Sequence, residues 1–199
     1  MFEVEYLVPI ITAIIGSATA LGVVWYRNYL SKKSKHTDDC KIHKQIQNDQ
    51  ELLDNLEEIR DKFNADRLTI LQFHNGGNYY TGKSIQKMSM SYEVAQAGIQ
   101  RMQDQCQNMP VSSCTTTLMP LFENWCIEYH DVNKDFPASL CKVHQIEAGN
   151  KSTYHWGLFD LDKNCIGLMT LDYVKRKRKL KTDDLESLKV KIIKLPGYL

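Results

Sequence analysis

From Tyr6 to Tyr26 the chain carries no charged residue, a run of 21 positions rich in Ile, Val, Leu and Ala. At the helical rise of about 1.5 Å per residue this run spans roughly 30 Å, the thickness of a bilayer's hydrocarbon core. The pattern predicts a transmembrane helix within an anchor segment, residues 1–36. A cleaved signal peptide is the rival, because Ala18-Thr19-Ala20 resembles a small-x-small cleavage site. Against it, residues 1–5 carry two acids and no base, and apolar residues continue through Trp25 and Tyr26 past the supposed cut. Gly16 and Ala20 are spaced so that two such helices could approach closely.

Residues 38–63 are polar, contain no Gly or Pro, and place apolar residues at Ile42, Ile46, Leu52, Leu56, Ile59 and Phe63. The last four follow the a/d rhythm of a coiled-coil seam, while the first two are out of register with them. A connector helix over 37–63 is expected, either pairing with a second copy or packing on its own domain. The pattern then turns extended. Residues 67–73 are β-branched and aromatic and end at Asn75-Gly76-Gly77, and residues 88–92 alternate apolar with Ser. Residues 153–161 and 165–174 read as a hairpin across Asp162-Lys163-Asn164. Thr182 caps a last helix over 183–195, with Leu185, Leu188, Ile192 and Leu195 on one face and Pro196-Gly197 as its stop. Helices are expected over 94–106 and 115–129. The sum is an α+β domain over 64–199, with helices packed against one sheet.

Composition changes the picture once it is divided. The 199 residues carry a net charge of +1 at 43% hydrophobic content, and the mean hydropathy is -0.40. Those averages describe a bland soluble protein, but the neutrality is a cancellation between blocks. Residues 27–36 hold four bases and no acid, and residues 175–181 hold six bases in seven positions. Basic residues beside a membrane segment stay on the cytoplasmic side. Arg27, Lys32, Lys33 and Lys35 therefore predict a single-pass inner-membrane protein whose C-terminal domain is cytoplasmic. Lys32, Lys33, Lys35, Lys175, Arg176, Lys177, Arg178 and Lys179 are the candidate contacts to membrane lipid, because anionic inner-leaflet lipids attract polybasic segments. A solvated loop is the alternative for 175–181, and nucleic acid ranks below both. In a reducing compartment the six cysteines, which form no CxxC, read mostly as buried small hydrophobes.

The run from Asp66 to Gly76, entered from a long helix, and the late hairpin from Gly157-Leu158-Phe159 to residues 166–171 resemble a GAF domain. The nearest likeness is to GAF-like proteins of bacteria and phages with a Phe-His-Asn-Gly-Gly stretch after their first strand, here Phe73 to Gly77. The resemblance covers about residues 50–195 in order of elements and is sequence-specific at 66–77. It implies an antiparallel sheet with flanking helices, often dimeric through those helices, that binds small molecules beneath loops covering the sheet. It implies sensing or protein interaction, with no catalysis, and it names no cofactor. Recognisable cyclic-nucleotide or chromophore signatures are not found in the sequence.

A competing motif overlaps the same region. Gly77 to Ser84 matches the phosphate-loop pattern GxxxxGK[ST] after a hydrophobic strand. In such a loop Lys83 would reach phosphates and Ser84 would hold magnesium. Against this nucleotide-binding reading stand the bulky Tyr79 and Tyr80 and the hairpin downstream, where a doubly wound sheet needs crossover units. Cys126, His130, Cys141 and His144 have metal-type chemistry at an unusual spacing for zinc, and no metal site is expected.

The leading expectation is a membrane-anchored GAF-like sensor, a homodimer, with a small-molecule or protein partner and no catalytic residues. Its candidate ligand contacts are His74, Asn75, Tyr79, Lys83, Lys87 and Glu93. A holin-like phage lysis protein with a soluble domain is an alternative; it would want that domain outside the cytoplasm.

Overall fold

The structure is a computed structural model that describes the backbone of residues 3–199 and the side chains of residues 21–27, 29 and 41–199. The chain divides into two units, residues 1–48 and 49–199. Residues 3–48 of the first unit lie within helix α1, Glu3–Lys62. Within it Trp25 and Tyr29 stack at 5.8 Å, and Ile42 and Ile46 are exposed. Most of the expected span Tyr6–Tyr26, and the side chains of Lys32, Lys33 and Lys35, lie outside the described residues. Among the described residues, no helix is long and apolar enough to cross a membrane.

The second unit is built on a six-stranded antiparallel sheet. Its strands are β1 (Arg67–Asn78), β2 (Ser84–Ala95), β3 (Met109–Pro110), β4 (Cys126–Tyr129), β5 (Ser152–Phe159) and β6 (Cys165–Tyr173). Their order is β3-β2-β1-β6-β5-β4. Helices α2 (Thr115–Asn124), α3 (Val132–Asp135) and α4 (Leu140–Glu147) fill the stretch between β3 and β5, and α5 (Thr182–Ile192) follows β6. This confirms an α+β domain with one antiparallel sheet.

Alternation along the strands sends two sets of side chains to opposite faces. Leu68 and Ile70 of β1, Met169, Leu171 and Tyr173 of β6, and Tyr154, Trp156 and Leu158 of β5 form one core with Leu188 and Ile192 of α5. Leu52, Leu56 and Ile59 of α1 and Phe63 just beyond it complete that core, all buried. The apolar rhythm read as a possible dimer seam is thus the face by which α1 packs on its own sheet. Burying several large aliphatic side chains there, at about 1.5–3 kcal/mol each, explains why the α1 residues from Asp49 onward belong to the domain's unit.

Two sequence expectations are corrected. Residues 94–106 are not a helix: β2 runs to Ala95, and the following chain is a loop. Glu93 holds that loop from beneath, its carboxylate accepting hydrogen bonds from the amides of Met102 (2.9 Å) and Gln103 (3.0 Å). Gly98 takes a positive φ of 82°, which favours glycine and breaks a helix. The helix expected over 115–129 ends at Asn124, because Trp125 turns into the left-handed region at φ 59° and its amide closes onto the Leu121 carbonyl. Residues 126–129 then pair with β5.

Candidate functional site

The face of the sheet away from α1 and α5 carries polar side chains in register, where an ordinary core would place apolar ones. Across β1, β6 and β5 the opposed residues are Arg67, Asp172 and Thr153. Arg67 Nε donates to Asp172 Oδ2 (3.1 Å), and Thr153 Oγ1 donates to Asp172 Oδ1 (2.6 Å). The next row, from β2 to β5, reads Glu93, Thr69, Thr170 and His155. The Thr69 and Thr170 hydroxyls bond each other at 2.8 Å. The row beyond is apolar: Met90, Leu71, Leu168 and Gly157. A register shift opposite Ile70 and Leu71 adds Ser91 to β2, which brings Glu93 and Met90 onto this same face although they are three residues apart.

Residues 96–108, the 3-10 turn Val111–Cys114, α2 and α4 cover this face. A disulfide between Cys114 and Cys141 ties the turn to α4. It corrects the reading of the cysteines for two of the six. Free Cys106 and Cys126 do behave as small hydrophobes, burial pushing their thiols up to about 11 and about 12.

Between cover and sheet lies a cavity of about 50 Å³. Leu71, Leu168, Leu118 and four methionines (Met88, Met90, Met102 and Met109) give it a mostly apolar wall. Arg67, His155, His144 and Thr117 add the polar part. Arg67 is largely spent within the protein, with four of its five N–H groups bonded and its charge paired with Asp172. Besides Asp172, its Nη1 donates to the Gln100 carbonyl (2.9 Å), and its Nη2 donates to Asn150 Oδ1 (2.6 Å) and the Ala148 carbonyl (3.4 Å). The other polar groups are not spent. Both ring nitrogens of His155, Nδ1 of His144 and Oγ1 of Thr117 are buried without a hydrogen-bond partner. His144 Nδ1 lies 3.4 Å from Glu147 Oε2, but outside hydrogen-bond geometry. Such orphans are rare in folded proteins and cost about 1–3 kcal/mol each. Burial, opposed only by the Asp172 charge, pushes the His155 imidazole down to about 4, so the ring is neutral at physiological pH. Tyr129 and Phe136 pack edge-on against it, at 5.4 and 5.6 Å between centroids.

None of the six ligand contacts expected from the sequence lines this cavity. Glu93 comes nearest, 3.9 Å from Arg67 Nε. His74 bonds Ser89 Oγ at 2.9 Å, and Asn75 Oδ1 accepts from the Gly77 amide. Tyr79 and Lys83 are exposed at the tip of the β1–β2 hairpin, and the Lys87 side chain runs along Gly76. The phosphate-loop match has a local cause. Gly77 (φ 95°) and Gly82 (φ 82°) supply the left-handed backbone of this hairpin, closed by the Tyr79 amide on the Lys83 carbonyl. Ser84 opens a strand where a phosphate loop needs a helix N-terminus. The nucleotide reading is corrected on that ground.

The basic run is largely turned onto the domain. Lys175 Nζ bonds Gln96 Oε1 (2.7 Å) and pairs with Asp66, Lys177 pairs with Asp131, and Arg178 lies over the Tyr173 ring. Arg176 and Lys179 are exposed.

Sequence reading missed Thr69, Thr170, Arg67, His155 and Thr117, and weighed Asp172 only as an acid for the phosphate-loop reading. A signal existed: in Arg67-Leu68-Thr69-Ile70-Leu71 and Thr170-Leu171-Asp172-Tyr173 polar residues alternate with large apolar ones. That pattern passes for a half-exposed strand unless a second cover is foreseen.

No known family model matches the sequence, and no curated protein matches it either. Solved structures do. A far-red cyanobacteriochrome photoreceptor superposes at TM-score 0.60 with 11% identity, over 82% of this chain and 94% of that one. The PixJ GAF domain of Thermosynechococcus elongatus gives 0.56 and 14%, over 77% and 84%. A phycocyanobilin-bound GAF domain from a cyanobacterial phytochrome gives 0.55 and 15%, over 73% and 80%. At these identities the likeness is one of fold, and the fold of this chain is that of a GAF domain.

Proposed function

We propose that this chain is a GAF-type sensory module that binds a small ligand, without catalysis, in the cavity between the sheet and the Cys114–Cys141 cover. One observation carries the reading: both ring nitrogens of His155, Oγ1 of Thr117 and Nδ1 of His144 are buried without a hydrogen-bond partner, on side chains that all line one cavity. A purely structural core would have replaced them with apolar groups or paired them. Tyr92, next to Glu93 on β2 but on the opposite face of the sheet, donates from Oη to Asp49 Oδ1 of α1 at 2.6 Å. A ligand that moves β2 would therefore pull on α1, which is how binding would leave the domain. The test is a titration of the isotopically labelled full chain with fragments of two to six heavy atoms. At least one fragment should shift the His155, His144 and Thr117 resonances together; a library in which none does removes the proposal.

The bilin of the photoreceptor neighbours does not fit. A cavity of about 50 Å³ is a third of the roughly 150 Å³ that admits one benzene ring, and a bilin has four rings. Its acidic side chains would also find the Arg67 guanidinium already committed.

Membrane anchoring through residues 6–26 rests on the sequence pattern alone. The disulfide bears on which side the domain faces, since disulfides persist in oxidising compartments. It favours the side opposite to the one the flanking bases predict. Impermeant maleimide applied to intact cells distinguishes the two. Labelling of Cys114 and Cys141 only after external reductant supports the oxidising side, and no labelling until lysis restores the cytoplasmic one.

A further inference from the structure

Resting on the ligand-site reading above, we infer that the cavity takes an uncharged molecule of about four heavy atoms that both donates and accepts hydrogen bonds, the chemistry of a primary amide or a urea. Size comes first. Each water-sized occupant needs roughly 10–15 Å³, so about 50 Å³ holds about four heavy atoms and excludes an aromatic ring.

Charge comes second, and the buried charges at the cavity are matched against groups of the protein, while the Glu147 carboxylate beside His144 is exposed to solvent. The Arg67 nitrogens bond Asp172, Gln100, Asn150 and Ala148. The Asp172 oxygens receive Arg67 and Thr153, and the Glu93 oxygens receive the Met102 and Gln103 amides. An anion would meet no free buried cation, and a cation no free buried carboxylate. Either would be stripped of water against leucines and methionines, which is prohibitive without a partner.

Hydrogen-bond type comes third. A neutral imidazole offers one N–H donor and one nitrogen acceptor, and a hydroxyl offers both. His155 and Thr117 thus match a group that carries a donor and an acceptor side by side, as an amide does. The four methionines around the remaining wall adapt to a small alkyl substituent on it.

The experiment uses three molecules of the same shape and four heavy atoms each: acetamide, acetate and acetamidinium, with benzamide as the oversized control. The full chain, carrying 13C-methyl methionine and labelled histidine, is titrated at pH 7.5. Acetamide should saturate in the millimolar range, and no tighter than about 10⁻⁵ M for so few atoms. It should shift the His155 ring and the methyls of Met88, Met90, Met102 and Met109, with exposed Met119 unmoved. Acetate, acetamidinium and benzamide should bind at least tenfold more weakly. If acetate or acetamidinium saturates the same signals as tightly as acetamide, the uncharged class is overturned while the ligand site stands. If benzamide does so, the size limit is overturned. If none of the four moves any lining signal, the amide class is overturned, and the fragment titration above decides whether the ligand site falls with it. His155→Leu and, independently, Thr117→Val should each weaken acetamide at least tenfold with the fold retained by circular dichroism; unchanged affinity in both variants overturns the assignment of those groups.

Discussion

His155 is the residue whose placement is hardest to explain by folding alone. It is wholly buried, bonded at neither nitrogen, and faces two aromatic rings, with Asp172 the charge acting on it. Its imidazole sits at about 4 in the folded protein against an ordinary value of about 6.5. The unfolded chain therefore binds this proton more readily, and stability is fully present above pH 6.5 and drains away as pH falls towards 4. The shift corresponds to about 3 kcal/mol at the acid end. Denaturant midpoints at pH 7 and pH 4.5 should show this loss, and His155→Leu should flatten the profile between those pH values while holding or raising stability at pH 7, since it removes two orphaned nitrogens. A variant with the same acid loss as the parent would mean that another group titrates. Gly167 makes an equally local demand of a steric kind. A Cβ there would stand 2.2 Å from the Leu71 carbonyl oxygen, and that oxygen belongs to the backbone of β1. Gly167→Ala should cost roughly 2–4 kcal/mol in equilibrium unfolding, in the range of substitutions that force strands apart.

Elements were legible where a single periodicity governed them, as in β1, β5, β6 and α5. The antiparallel sheet with flanking helices followed from the GAF resemblance carried by the run Asp66–Gly76 and the late hairpin, whereas the strand order did not. The segment from 96 to 129 was not legible, because no periodicity builds it. Its loop is held by one carboxylate, and its helix ends where Trp125 adopts a left-handed backbone. The cavity was not legible for a related reason: its cover is made by that same segment, so the polar positions of β1, β5 and β6 looked solvent-facing. The visible candidates clustered instead at the hairpin tip, where Gly77 and Gly82 serve a turn. Two expectations follow at this scale. Glu93→Gln weakens the hold on the loop, and hydrogen exchange at the Met102 and Gln103 amides should quicken, while the amides of β1 keep their protection. Leu56→Ala leaves a void in the sheet-facing core of α1 and should cost about 2–5 kcal/mol. A seam between two copies would instead lose stability in proportion to protein concentration, which a dilution series separates.

Across the whole domain, two charged side chains tie the cavity's cover to the sheet, the Glu93 carboxylate under the loop and Arg67 reaching the carbonyls of Gln100 and Ala148, while the Cys114–Cys141 bond ties two parts of the cover to each other. The sheet's other face is closed mainly by a continuous apolar core with α1 and α5, with the Tyr92–Asp49 hydrogen bond at its edge. The two sides of the sheet therefore differ in what keeps them closed. Reduction tests the difference. The disulfide spans 27 residues, and the chain-entropy relation assigns such a loop about 3.5 kcal/mol. Under dithiothreitol the denaturation midpoint should fall by that order, and Cys114→Ser with Cys141→Ser should reproduce the fall without reductant. Because the bond sits in the cover alone, exchange protection should drop first in α2, α4 and the 3-10 turn, and last in β1 and β6, which the opposite core still buries. Acetamide binding should weaken in parallel, since a loosened cover no longer holds Thr117 and His144 over His155. Equal loss of protection on both faces would show that the domain opens as one unit, and that the cover does not act as a separate lid on the site.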